Sequence, residues 1–274
     1  MSEGKICHYG IGHLPVERAE TYCKLGKIFS VLMELSAVAR DSRKKLLPLC
    51  QKYDVGAIAF SVTGRGLLTG RFEKEKETEK EKENGKEKKF EPGDIRNIDP
   101  LFHRECFQSG LRVAKKMAEV GKSYGKTQAQ VAIAWVLSQS GIICALTGPS
   151  TIAHLEENVG GSGWHLSSES CEELELFFKQ EDVWLEQEQR ASIRKILSEL
   201  LPQESSRAFA DLVYVIETAT LLGLTSEKEV LPTFQELWRM RKTLNEAAGP
   251  KLESIRKRLR DMIYMIHTEN EELL

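Results

Sequence analysis

Four short apolar runs, each followed by a stretch with helical spacing, constrain what this chain can fold into more than any other feature. The runs are Lys5 to Ile11, Ile28 to Met33, Val55 to Phe60 and Ile142 to Leu146. Each is of strand length, and each reads as a strand. Behind the first comes Gly12-His13-Leu14-Pro15, with Pro15 placed to open a helix that carries Val16, Ala19, Tyr22 and Cys23 at helical spacing. Behind the second, Asp41 to Cys50 reads as a helix whose first-turn acid suits the positive end of its dipole. Between the third and fourth runs, a helix over 104 to 122 presents Phe107, Leu111, Ala114 and Met117 on one face, and Gly125 ends it. Thr127-Gln128-Ala129-Gln130 is then a capping box for an apolar, buried helix through Trp135 and Leu137. Behind the fourth, Gly148-Pro149-Ser150 leads into a helix over Thr151 to Val159. Strands alternating with helices predict an α/β fold with a parallel sheet under helical cover.

The third run is the most informative. It breaks at Ser61 into a loop punctuated by Gly64, Gly66 and Gly70, at the end of the strand where ligands bind in such folds. Glycines there let backbone N–H groups approach an anion closely. The loop runs into a charged insertion, residues 72 to 90, in which Glu and Lys alternate with almost nothing apolar. Such a segment buries too little surface to offset chain entropy and is expected to be solvated and mobile. From about 181 the pattern is all-helical, so a boundary is expected near 180, with a helical C-terminal domain over 181 to 274. Phe209, Leu212, Val213, Ile216 and Thr220 repeat at three and four; Ser226-Glu227-Lys228-Glu229 is a second capping box, leading to Val230, Phe234, Leu237 and Trp238. After Gly249-Pro250, Leu252, Ile255, Leu259, Met262 and Ile266 form a narrow apolar seam. One helix packing against its neighbours accounts for it.

Composition excludes several classes. A formal net charge of −2 gives no positive field to draw in nucleic acid. No apolar stretch is long enough to span a membrane, and the polar start, Met-Ser-Glu-Gly-Lys, has no signal-peptide core. Six cysteines lie far apart with no Cys-x-x-Cys pair, which argues for reduced thiols and a cytoplasmic protein and against a zinc or redox site.

In their order, the four units resemble the aldo/keto reductases, NADP(H)-dependent oxidoreductases built on a (β/α)8 barrel. Three stretches carry the resemblance. Gly4-Lys5-Ile6-Cys7-His8-Tyr9-Gly10-Ile11 looks like the family's fifth strand. Ala57-Ile58-Ala59-Phe60-Ser61 with Gly64-Arg65-Gly66-Leu67-Leu68-Thr69-Gly70 looks like its seventh strand and loop. Ala129 to Leu137, then Gly148 and Leu155-Glu156-Glu157-Asn158, resembles its eighth unit. The resemblance implies a partial barrel of about four βα units, strands five to eight, over residues 1 to 180. The helical tail matches no family motif.

By that resemblance Phe60 takes the place of a Tyr that stacks on the nicotinamide ring. Ser61, Gly64 and Leu67 fall on the loop over the pyrophosphate. Gly148, Ser150, His154, Glu157 and Asn158 match positions that hold the adenosine and its 2′-phosphate. His154 stands where the family commonly has Arg or Gln, and a neutral imidazole is a poorer phosphate partner than a guanidinium fork. Gly12-His13 replaces the family's Ser-Asn, Leu32 its Gln, and Val62-Thr63 the Pro-Leu of its loop. The family's catalytic Asp, Tyr, Lys and His come from its first four units and match no residue here, so no catalytic residue is assigned. Tyr9, His8 and His13 read as packing or surface residues. Two expectations follow: a reductase-like chain, truncated and impaired in carbonyl reduction, or a non-catalytic nucleotide-binding or interaction scaffold. In the second, exposed barrel edges pair with a second copy or another partner.

Overall fold

The computed structural model describes residues 4–72, 90–91 and 93–265. Residues 73–89, nearly all of the charged insertion, lie outside them, as does Ile266. β1 (Gly10–Ile11), β2 (Ser30–Glu34), β3 (Gly56–Phe60) and β4 (Ile142–Ala145) form a single parallel sheet in the order β1-β2-β3-β4. The expected alternation of strand and helix is therefore present, with α1 (Val16–Leu25), α2 (Asp41–Lys44), α3 (Leu46–Lys52), α4 (Arg104–Lys122), α5 (Gln128–Leu137) and α6 (Ile152–Val159) between and after the strands. Beyond them lie α7 (Ser168–Ser198), α8 (Ser205–Leu221), α9 (Glu227–Met240) and α10 (Gly249–Met265).

The chain divides into two compact units. One is the described part of Met1–Glu83 with Gly110–Phe178; the other is the described part of Asn84–Ser109 with Lys179–Leu274. In the first unit, strand alternation sets the core. Val31, Met33, Ala57 and Ala59 are fully buried, whereas Leu32, Ile58 and Phe60 on the opposite face are half-buried. Val31, Met33 and Ala57 pack with Ala19 of α1 and Leu46, Leu49 and Cys50 of α3. Ala59 belongs to a second cluster with Val113, Ala114 and Met117 of α4 and Val131, Trp135 and Val136 of α5. The capping box of α5 forms as expected: the Gln130 N–H donates to Thr127 Oγ1 and the Gln130 side chain accepts from the Thr127 N–H.

Two local expectations need correction. The helix expected over Asp41 to Cys50 breaks at Lys45, whose φ of −121° and ψ of −66° lie outside the helical region. Pro48 explains it, because a proline has no N–H to give and its ring crowds the carbonyl four residues back, that of Lys44. The first strand is only two residues long, not seven. It lies at the sheet's edge, and residues 5 to 9 leading into it are exposed.

In the second unit α8 is the central helix, with all residues from Ala208 to Ile216 buried. α10 packs against it and against α9 through Leu252, Ile255, Leu259 and Ile263. The half-buried Met262 packs against the same core, and the fully buried Ile263 beside it widens the seam to the broader stripe of an ordinary packed helix. The second capping box, Ser226 with Glu229, is also present. Several charged side chains inside this unit have polar partners. Arg104 donates to Asp211 at 2.7 Å, Ser109 to Glu181 at 2.9 Å, and the buried Arg256 guanidinium to the Leu197 carbonyl near the end of α7.

Candidate functional site

The strands of a parallel sheet point their carboxyl ends the same way, so the segments after β1, β2, β3 and β4 gather at one end. Phe60 closes β3 in register with Glu34, the last residue of β2. The His13 ring, from the segment after β1, meets Phe60 edge-on, with centroids 5.5 Å apart and planes at 85°. Ser61 turns the chain sharply with φ of 57°, and Arg65, at φ of 52°, reaches back to Glu34 at 3.1 Å. Both partners of that ion pair are partly exposed, so it orients the loop more than it stabilises the fold.

The glycine loop is built on its own hydrogen bonds. The N–H groups of Gly64, Gly66, Leu67, Leu68 and Thr69 donate to the carbonyls of Ser61, Thr63, Gly64, Thr63 and Gly66 at 2.7 to 3.3 Å. Gly64 adopts a φ of 59°, and a Cβ there would lie 2.7 Å from Val38 Cγ2, so turn geometry and packing both require glycine. Leu67 is fully buried: its Cδ2 comes so close to Gly110 of α4 that a Cβ on Gly110 would lie 2.3 Å away. Gly64 and Leu67 therefore use their amides inside the loop, and the glycines that suggested an open anion cradle serve its turns.

The residues after β4 are more open. Gly148, Ser150 and His154 are exposed, and a Cβ on Gly148 would meet nothing within 4 Å. Thr151 caps α6, its Oγ1 accepting from the His154 N–H at 3.1 Å, and Ser150 Oγ lies 3.2 Å from His154 Nδ1. The half-buried Glu157 and Asn158 lie a turn further on, where the Glu157 carbonyl accepts from Gln130 Nε2 at 3.1 Å. This start of α6 offers a helix N-terminus, a hydroxyl and an imidazole to an anionic group.

The nine expected residues thus fall into two groups at the ends of neighbouring strands: Phe60, Ser61, Gly64 and Leu67 after β3, and Gly148, Ser150, His154, Glu157 and Asn158 after β4. Glu34 and Arg65 were not anticipated. The available signal was a carboxylate ending an otherwise apolar strand, with an arginine between two glycines of the facing loop. Among the described residues no three His, Cys, Asp or Glu side chains are placed to hold a metal ion, and no helix is long and apolar enough to cross a membrane.

A four-stranded parallel sheet with helical crossovers and its glycine loop at the strand ends defines an α/β protein, the class to which TIM barrels belong. The Aldo/keto reductase family matches residues 1–177, and the chain belongs to that family. An aldo-keto reductase of Strobilurus tenacellus is 26% identical over 206 residues, covering 74% of this chain and 58% of that protein. The aldo-keto reductase YhdN of Bacillus subtilis is 26% identical over 172 residues, covering 62% and 48%. A glycerol dehydrogenase of Gluconobacter oxydans shares the fold, with a TM-score of 0.55 and 24% identity over 66% of this chain and 51% of that one. The chain spans about half the length of the curated relatives it matches.

Proposed function

We propose that this chain provides the dinucleotide-facing part of an NAD(P)H-dependent carbonyl reductase fold, corresponding to strands five to eight, and that it reduces carbonyls poorly or not at all. One observation carries the reading. The two residue groups that family resemblance assigns to the cofactor stand at the ends of adjacent strands, β3 and β4. The start of α6 fits the anionic, adenosine end of a dinucleotide, because Gly148 leaves open space and Ser150 and His154 are exposed beside the helix N-terminus. The loop after β3 fits less well, since the Gly64 and Leu67 amides donate internally. A bound NADP(H) would supply hydride. Phe60 would offer an aromatic face to its ring, sharing it with His13. Ser150 and His154 would hold the 2′-phosphate. Glu157 and Asn158 would meet the adenosine.

Carbonyl reduction also requires an acid to protonate the developing alkoxide. The family's Asp, Tyr, Lys and His have no counterpart among the 274 residues, which is the ground for inferring impaired catalysis. The six cysteines are all unpaired, as a reducing cytoplasmic compartment would keep them.

Titration of NADPH fluorescence tests the binding reading. We expect saturable enhancement in the range of about 0.1–1 mM, weakened by Ser150→Ala and strengthened by His154→Arg. No change up to about 1 mM would sink it. Aldehyde-dependent NADPH oxidation above a buffer control would show that catalysis is not impaired.

A further inference from the structure

The helical unit concentrates positive charge on one stretch beyond what its own stability calls for. Residues 236–261 cover the end of α9, the turn after it and most of α10, and hold eight Lys or Arg against four Asp or Glu. The whole chain has a formal net charge of −2, so the remainder is net acidic. Two of the four acids are taken up locally: Glu253 pairs with the buried Arg256, and Asp261 with Arg260 at 3.1 Å. A third, Glu236 of α9, meets two cations of α10. Arg258 donates to it at 2.5 Å, and Lys251 stands 3.9 Å away. Arg258, with Lys251 and Arg239 adding to it, holds the Glu236 carboxyl below the usual carboxylate range.

One half-buried carboxylate therefore faces three exposed cations, Arg239, Lys251 and Arg258. Lys251 stands in the first turn of α10, where the positive end of the helix dipole opposes a cation. Local rules broken without a structural return mark functional surfaces. On the same stretch the exposed Arg241 lies over the Trp238 ring, 4.5 Å from its centroid, and Trp238 stacks on Phe234 at 5.5 Å, so stacking orients this guanidinium as well. Lys251 and Arg258 are about 10 Å apart along the α10 axis, a span that one short peptide covers.

We propose that this α9–α10 face binds a short acidic polypeptide segment, whose carboxylates take the place that Glu236 holds at Arg258 and Lys251. Glu236 itself shows the recognition, because a carboxylate borne on a helix already meets both cations. Charge favours a short ligand over a long polyanion: a nucleic acid extending beyond the patch would meet the net acidic remainder of the chain. The patch lies within the helical unit and owes nothing to cofactor binding, so nucleotide titration and peptide capture can fail separately.

Fluorescence anisotropy of a labelled peptide of about twelve glutamates, titrated with the full chain in about 50 mM salt, tests it. We expect saturable binding with a dissociation constant of about 10–100 μM, lost in about 0.5 M salt. Arg239→Glu combined with Lys251→Glu changes exposed side chains, so far-UV circular dichroism should match the parent while the dissociation constant rises about tenfold or more. Lys27→Glu with Lys115→Glu, the same change of charge at exposed positions elsewhere, should leave it within about twofold. Glu236→Gln removes the internal competitor and should tighten binding about threefold or more. No anisotropy change, binding indifferent to the Arg239 and Lys251 substitutions, a failure to tighten in Glu236→Gln, or tighter capture of a single-stranded oligonucleotide of equal length would each overturn the proposal.

Discussion

Tyr214→Phe removes one oxygen from the interior of the helical unit, and its consequence can be worked from the contacts. Tyr214 is 1% exposed on α8, and its hydroxyl donates to Glu105 Oε1 in the first turn of α4. Ser192 Oγ donates to the other carboxylate oxygen at 2.9 Å. Deleting the phenol hydroxyl leaves a buried charged oxygen short of a donor, a loss of about 2 kcal/mol for a hydrogen bond to an ionised group. With an m-value of about 3 kcal/mol/M, the urea midpoint should fall by about 0.7 M. Glu105→Met combined with Tyr214→Phe should cost less than the two single changes together, because no carboxylate is left unpaired, giving a coupling of at least about 1 kcal/mol. Burial also pushes the Tyr214 phenol above its ordinary range, with the neighbouring Cys106 and Glu105 adding to it. The unfolded chain releases this proton above about pH 10 while the folded chain holds it. The contribution of Tyr214 is therefore complete below pH 10 and is lost as the pH rises beyond it. Urea melts by circular dichroism at pH 7, 10 and 11 should show the gap between parent and Tyr214→Phe narrowing at the alkaline end. A gap below about 0.5 kcal/mol at pH 7, or one that does not narrow, would refute the pairing.

Three further outcomes follow from the same packing and ionic contacts. Burial pushes the Cys106 thiol up to about 12 and the Cys50 thiol up to about 11, whereas Cys7 and Cys144 are exposed. Alkylation at pH 8 mapped by mass spectrometry should label Cys7 and Cys144 first and reach Cys50 and Cys106 only in denaturant. Hydrogen bonds from Lys52 and then Tyr53 hold the Glu20 carboxyl down to about 2. Its contribution is present above the ordinary carboxylate range and is lost as pH falls from about 4.5 toward 2, so the penalty of Glu20→Gln in urea melts should shrink between pH 7 and pH 3. Trp135→Ala, at a side chain 1% exposed that meets Phe178 edge-on at 5.3 Å, should cost about 3–5 kcal/mol. Trp135→Phe, which mainly loses the indole donor to Glu175 at 3.3 Å, should cost markedly less in the same thermal melts.

The parts of the fold legible in the sequence are those where local chemistry and burial agree. Thr127 with Gln130 and Ser226 with Glu229 place two helix starts because each cap satisfies a backbone donor that no tertiary contact supplies. The alternation in Val31 to Met33 and Ala57 to Ala59 is legible for a similar reason, since one sheet face is packed against helices. The break at Lys45 was concealed because the charged Asp41 to Lys45 and the apolar Leu46 to Cys50 are each compatible with a helix and no glycine separates them, and Pro48 acts on the carbonyl four residues back. The length of β1 was unreadable because pattern reports apolar character and not the partner that pairs a strand; at an edge that no further strand pairs among the described residues, Ile6 and Tyr9 stay exposed despite their type. Glu34 and Arg65 escaped notice because they lie 31 positions apart and meet only through the β2–β3 register.

The glycine loop shows why composition overstates one kind of site. A glycine whose amide is free to meet an anion and a glycine required by a turn leave the same mark in a sequence. Here Gly64 and Gly66 take left-handed angles of 59° and 90° and donate their N–H groups to Ser61 and Thr63. A dinucleotide bound as proposed would therefore draw its charge stabilisation chiefly from the start of α6, where Ser150 and His154 are exposed beside the helix N-terminus. That shifts the expected determinant of affinity from the loop after β3 to a single residue after β4. An arginine fork there would offer the 2′-phosphate two parallel donors where an imidazole offers at most one. NADPH affinity should thus fall in Ser150→Ala and rise about tenfold in His154→Arg, with NADH affinity unchanged by either, a contrast that a loop-held pyrophosphate would not produce.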